Sequence, residues 1–174
     1  MPTMTERPGA FALRGKLLTL IGPELKAGDR APDFSVVDQA WQPVTLASTA
    51  GRVRVFSVVP SFDTGVCSAQ TKRFNDEAAR FGDKVAFYAV SMDLPYGAKR
   101  WCGDTGVTKV TTLADHIDAS FSQNYGTLVK EWRVASRAVF VVDAEGIIRY
   151  AEYVQEMPDQ PNYDAVLAVL TKLV

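Results

Sequence analysis

The stretch from Val53 to Gln70 constrains this chain more than any other. Val53-Arg54-Val55-Phe56-Ser57-Val58-Val59 is a β-branched, mostly apolar run of strand length. Pro60 stops it, because proline cannot donate to a sheet ladder. Ser68 to Arg80 has helix-forming composition and ends before Gly82. Cys67 therefore falls where a buried strand hands over to a helix, in the first helical turn. The unpaired backbone N–H groups of such a turn point at whatever lies there. A thiol in that position is pushed toward thiolate, the form that reacts.

The 174 residues fit one domain with a substantial core. A formal net charge of -1 gives no electrostatic reason to expect nucleic acid or an anionic membrane as partner. No apolar run reaches the roughly 18 residues of a membrane span. Met1 to Gly9 is polar, with two prolines, and lacks a signal-peptide pattern, so the expected compartment is the cytoplasm. Two cysteines in that reducing setting are more often catalytic, redox-sensing or inert than a structural bridge.

Residues 1–10 read as a loose tail and 11–174 as one domain. Phe11 to Ile21 reads as one or two short strands, with Gly15-Lys16 a turn. Ser35-Val36-Val37 and Val44-Thr45-Leu46 are further short strands, and Val85 to Ser91 a buried one. A short helix beginning at Leu94-Pro95-Tyr96 carries Trp101-Cys102 and is expected to stop at Gly103. Val107 to Leu113 reads as a weak strand and Asp115 to Tyr125 as a helix. Ala138 to Val142 and Ile147 to Tyr153 flank a hairpin turn, and Asn162 to Leu173 closes the chain as an amphipathic helix. The order predicts an α/β domain on a thioredoxin-like plan: a mixed central sheet, helices on both faces and an N-terminal β-hairpin.

Cys67 needs an activator. The single histidine, His116, could be the base of a Cys–His pair, but a lone capping or surface histidine is the commoner case. Without imidazole the thiolate must be held by fixed positive potential. Lowering a thiol pKa by two units takes roughly 2.7 kcal/mol. A helix N-terminus supplies up to ~2 kcal/mol, and one guanidinium can supply the rest. Arg137, at the mouth of the strand Ala138 to Val142, is the most suggestive cation; it is either a solvated edge residue or a buried functional charge. Thr64 can cap the helix or face the thiolate. Pro60 ends the strand and could also shield the sulfur from bulk water. For Cys102, sequence statistics alone favour an inert buried thiol; because it stands on a marginal helix able to unravel, a transient disulfide with Cys67 is the reading preferred here. Cys67-Ser68-Ala69-Gln70 is not a CxxC site. Two distant cysteines and one histidine make a poor zinc site, and no phosphate-binding glycine motif is present.

Pro60-Ser61-Phe62-Asp63-Thr64-Gly65-Val66-Cys67 resembles the PxxxTxxC motif of the peroxiredoxins. Ser91 to Tyr96, followed by Lys99-Arg100-Trp101-Cys102-Gly103, resembles the resolving-cysteine segment of their bacterial thiol peroxidase subfamily, the atypical two-cysteine type. Ser136 to Asp143 and Ala31-Pro32-Asp33-Phe34 match two further family segments, so the likeness covers nearly the whole chain. The resemblance implies a peroxidatic Cys67 that becomes a sulfenic acid, with Thr64 and Arg137 polarising the peroxide and Pro60 shaping the pocket. It also implies a resolving Cys102 and an intramolecular disulfide recycled by thioredoxin. Implied as well are hydrogen peroxide and alkyl or lipid hydroperoxides as substrates, with Phe62, Trp101 and Trp132 as candidates for an apolar pocket. A homodimer, with no metal or organic cofactor, completes the expectation. The alternative is a redox-sensing interaction module built on the same disulfide switch.

Overall fold

The apolar run after Arg52 forms an interior strand, third in order, of a seven-stranded sheet. The computed structural model describes residues 4–174. In chain order the strands are β1 (Glu6–Leu13), β2 (Lys16–Ile21), β3 (Ser35–Val37), β4 (Pro43–Thr45), β5 (Val53–Val58), β6 (Val85–Ser91), β7 (Val110–Ala114), β8 (Leu128–Val129), β9 (Val134–Ala135), β10 (Arg137–Val142) and β11 (Ile148–Val154). The helices are α1 (Gly65–Phe81), α2 (Pro95–Thr105), α3 (Ser120–Asn124) and α4 (Tyr163–Leu173). The large sheet has the order β11-β10-β5-β6-β7-β3-β4, with β5, β6 and β7 parallel and the flanking pairs antiparallel. A second sheet, β1-β2-β8-β9, is antiparallel. The architecture is the expected mixed α/β one.

Every residue of β5 and β10 is buried. Their period of two therefore sorts side chains between two cores rather than between core and water. Val53, Val55, Val139 and Val141 pack with Phe74 of α1 and Val166 and Leu170 of α4. Phe56, Val58, Ala138, Phe140 and Val142 pack with Phe34, Phe121 and Tyr125 on the opposite face. Ser57 shares parity with Val55, and Arg137 with Val139. Both polar residues thus project toward the face covered by α1.

Several expectations change. Residues 1–3 lie outside the described residues, but Glu6–Ala10 belong to β1 and are not a loose tail. The cause is Arg7: its Nε donates to the Gly22 carbonyl at 3.0 Å and its Nη2 to that of Gly126 at 2.5 Å, while its guanidinium lies 5.0 Å from the Tyr153 ring centre. The helix expected from Asp115 shrinks to Ser120–Asn124. The Asp115 carboxylate accepts from the N–H groups of Phe121 and Ser122, and Ala119 has φ +53, so the intervening residues turn. α2 runs past Gly103 and ends only at Gly106, whose φ of +73 and N–H bond to the Cys102 carbonyl cap it. β8 and β9, two residues each, are additions to the expected strands.

Gly22 and Gly126 close the small sheet against the loop after α3. A Cβ at Gly22 would strike the Gln123 carbonyl, and one at Gly126 the Pro23 carbonyl; both have positive φ. Gly126→Ala is expected to destabilise the fold by about 2 kcal/mol or more, lowering Tm by roughly 4–8 °C. Thermal unfolding by circular dichroism checks this.

Candidate active site

Cys67 is the third residue of α1 and is fully buried. Thr64 is the N-cap: its Oγ1 accepts from the Cys67 N–H at 3.3 Å and its hydroxyl donates to the Ser61 carbonyl at 3.4 Å. The capping alternative is the one seen, and both functions of the hydroxyl are engaged. The N–H groups of Gly65 and Val66 have no acceptor among the described residues, as expected for a first turn. With the helix dipole, they place positive potential around the sulfur.

Arg137 supplies a full charge. Its guanidinium is buried, with Nη2 3.3 Å from Cys67 Sγ, Nη1 donating to Gln70 Oε1 at 2.9 Å, and Nε donating to the Met157 carbonyl at 2.9 Å. No carboxylate lies within ion-pair distance of it among the described residues. Isolated buried cations are expensive. The one atom in this shell able to carry a negative charge is the Cys67 sulfur. Of the two readings of Arg137, buried charge is therefore the one seen.

In the sequence Gln70 marks only the absence of a CxxC site. In the fold its amide also donates from Nε2 to Ser57 Oγ at 2.7 Å, tying the strand parity of Ser57 to the aim of Arg137. The available signal is a glutamine one helical turn after Cys67, on the face that meets the sheet.

A cavity of about 240 Å³ opens over the first turn of α1, lined by Arg137, Thr64, Gly65 and Val66, with Leu13, Arg14, Met157 and Pro158 closing it. Pro60 is buried but does not line this cavity. A larger cleft, about 570 Å³, surrounds Arg54 at the other end of β5 and contains no thiol. Phe62 and Trp101 stack at 5.1 Å within the core and do not line the cavity. Trp132 lies elsewhere, with Lys16 Nζ 5.7 Å from its ring centre. His116 packs edge-on against Trp41 at 5.4 Å and makes no bond to Cys67.

Cys102, on α2, is partly buried and its thiol is free, as is that of Cys67. Burial pushes the Cys102 thiol up, and an amide donor from Gln39 pulls it partly back. It faces a separate cleft that shares no residue with the cavity over the first turn of α1. Four contacts nevertheless tie the two cysteine segments together. The Asp93 carboxylate accepts from Ser61 Oγ at 2.8 Å and the Phe62 N–H at 2.9 Å. Arg100 pairs with Asp63 at 3.0 Å, and Phe62 stacks on Trp101.

The comparisons with known proteins agree on one family. The Redoxin family matches residues 26–167. The thiol peroxidase of Bacillus subtilis is 48% identical over 94% of this chain and 98% of its own length. That of Oceanobacillus iheyensis is 50% identical over 89% of this chain and 94% of its own. The chain belongs to the thiol peroxidases of the redoxin family. As a member it is a peroxiredoxin-type oxidoreductase with thiol-dependent peroxidase activity. A peroxiredoxin-like protein from Aquifex aeolicus has the same fold, with a TM-score of 0.89, 37% identity and coverage of 98% of this chain and 99% of its own. No helix among the described residues is long and apolar enough to cross a membrane.

If Gln70 aims the guanidinium, Gln70→Leu should slow oxidation of Cys67 by hydrogen peroxide about tenfold, a barrier change of roughly 1.4 kcal/mol. Stopped-flow tryptophan fluorescence of the reduced protein reads that rate.

Proposed function

We propose that Cys67 is the nucleophile that reduces hydroperoxides and that Cys102 then resolves it. The observation that carries this reading is the 3.3 Å contact between a buried guanidinium and the Cys67 sulfur, in a shell with no carboxylate. The Cys67 thiolate attacks the terminal peroxide oxygen. The S–O bond forms as the O–O bond breaks, and the alkoxide or hydroxide that leaves takes up a proton. Arg137 both touches the sulfur and lines the cavity, so one charge can follow the electron pair from sulfur to oxygen. Thr64 caps the turn that presents the sulfur and forms part of the cavity wall. Pro60 fixes the end of β5. Apolar Leu13, Val66, Met157 and Pro158 suit the organic part of an alkyl or lipid hydroperoxide, and hydrogen peroxide is accommodated as well.

In the second step Cys102 attacks the sulfenic sulfur, hydroxide leaves and is protonated, and the two sulfurs are joined. α2 has to leave its place for this. Gly97 and Gly103 lie inside it with open space where a Cβ would be, so each weakens the helix by about 0.5–1 kcal/mol relative to alanine. The clips from Asp93 and Arg100 transmit the loosening to the Cys67 segment. A dithiol reductant of the thioredoxin type then regenerates both thiols, and we take the working form to be a homodimer, as in the family.

The direct test is mass spectrometry of the peroxide-treated protein digested without reduction. It should contain a Cys67–Cys102 linked peptide; two unlinked peptides would refute the second step. Cys67→Ser should abolish activity. Cys102→Ser should consume one equivalent of peroxide and stall as a sulfenic acid, trapped by dimedone. Gly103→Ala should slow disulfide closure roughly two- to fivefold while leaving Cys67 oxidation unchanged. Quenched-flow alkylation separates the two rates.

A further inference from the structure

A resolving Cys102, the role on which this inference rests, has to be held in place until it is needed. The loop between β3 and β4 reaches across to α2. Gln39 Nε2 donates to Cys102 Sγ at 3.4 Å and to Thr112 Oγ1 of β7 at 2.9 Å. Thr112 is buried, so its hydroxyl is a fixed anchor. The loop itself is built: Asp38 Oδ1 accepts from the N–H groups of Ala40 and Gln42, and Trp41 adopts φ +62. Trp41 then packs on Tyr96, in the first turn of α2, at 5.5 Å. The loop thus grips α2 at both ends, by an aromatic contact at its start and by an amide on the sulfur itself.

We propose that Gln39 is the positioning residue of the resolving thiol: its amide, braced on Thr112, latches Cys102 in the closed form and sets how fast the sulfenic acid is captured. It does so without touching the peroxide or Cys67. The charged residue that lines its cleft is Asp38 on the loop; Lys99, Arg100 and Asp104 are its near neighbours along α2, and Lys109 precedes β7. None of them is among the causes that displace the thiol, which are burial, upward, and the Gln39 amide, downward. The amide donor favours the thiolate, so its loss must push the thiol of the closed form further up and make it harder to ionise. The closed form is the ground state. Its ionisation therefore sets the midpoint of the pH profile for disulfide closure, whichever conformation reacts. In closure the Cys102 thiolate attacks the Cys67 sulfur, the S–S bond forms, and hydroxide departs and is protonated. The rate should rise with pH up to that midpoint and then level off.

The test uses full-length protein and measures two rates after a hydrogen peroxide pulse: oxidation of Cys67 and closure of the disulfide, the latter across a pH series. Gln39→Ala is expected to leave oxidation unchanged, to speed closure at neutral pH about two- to tenfold, the span of one lost hydrogen bond, and to move the midpoint of the closure profile upward. Thr112→Val, which removes the anchor but not the amide, should speed closure in the same direction. Its effect should be less than additive with Gln39→Ala. Trp41→Ala, which frees the start of α2 without reaching the sulfur, should speed closure and leave the midpoint in place. A closure rate or a midpoint unmoved by Gln39→Ala overturns the proposal, and so does an equal midpoint shift in Trp41→Ala. Absence of any Cys67–Cys102 disulfide in the unsubstituted protein would instead refute the assignment of Cys102 on which the proposal stands.

Discussion

A guanidinium buried against a sulfur is the constraint around which the rest of this molecule is arranged. Arg137 is 1% exposed and shares its shell with two neutral oxygens and Cys67 Sγ. Taking an unpaired cation out of water costs several kcal/mol even after relaxation. The two neutral oxygens offset part of that cost, and a negative charge nearby offsets more; the sulfur is the candidate to carry it. Stability and reactivity are therefore linked: the form of Cys67 that best satisfies Arg137 is also the form that attacks a peroxide. The supporting parts fall into place around this pair. Strand parity aims Arg137 at α1, Ser57 holds Gln70, Gln70 holds the guanidinium, and Thr64 fixes the turn that presents the sulfur.

Cys102 lines a cleft of its own while Cys67 is fully buried in the first turn of α1, yet their segments are mechanically joined. Asp93 fastens the residues before Cys67 to the end of β6, and α2 leans on the same residues through Arg100 and Trp101. α2 combines two interior glycines with an aromatic contact and an amide latch supplied by the loop before β4. A helix so constituted is held by its neighbours more than by its own propensity. It can be rigid while Cys67 is reduced and give way once Cys67 is oxidised, which is what a sequential two-thiol reaction requires.

Much of this is legible in the chain. The apolar run from Val53, broken by Pro60 and followed by a helical pattern, locates Cys67 at a strand-to-helix junction because strand and helix periods differ sharply there. The placement of Arg137 before a fully apolar run leaves a solvated edge residue and a buried charge equally open, and only the fold, through the parity of β10, decides between them. Less legible are interactions between residues far apart in sequence. Gln70 and Gln39 look like ordinary polar residues until a strand or a loop is laid against them. The ordering of Glu6–Ala10 depends on carbonyls contributed by Gly22 and Gly126, one of them more than a hundred positions away. β8 and β9 are too short to carry any periodic signal. The expected helix from Asp115 fails because a buried carboxylate takes N–H groups that the pattern assigns to helix bonds.

The central claim concerns the charge on one sulfur, and ultraviolet thiolate absorbance reads it directly. The signal of Cys67 is the difference between the Cys102→Ser protein and the same protein also carrying Cys67→Ser, recorded at neutral pH. The account predicts a thiolate band in that difference, and its loss when Arg137→Met replaces the guanidinium by an apolar side chain of similar length. A band that survives Arg137→Met undiminished, or one absent from the start, would contradict it.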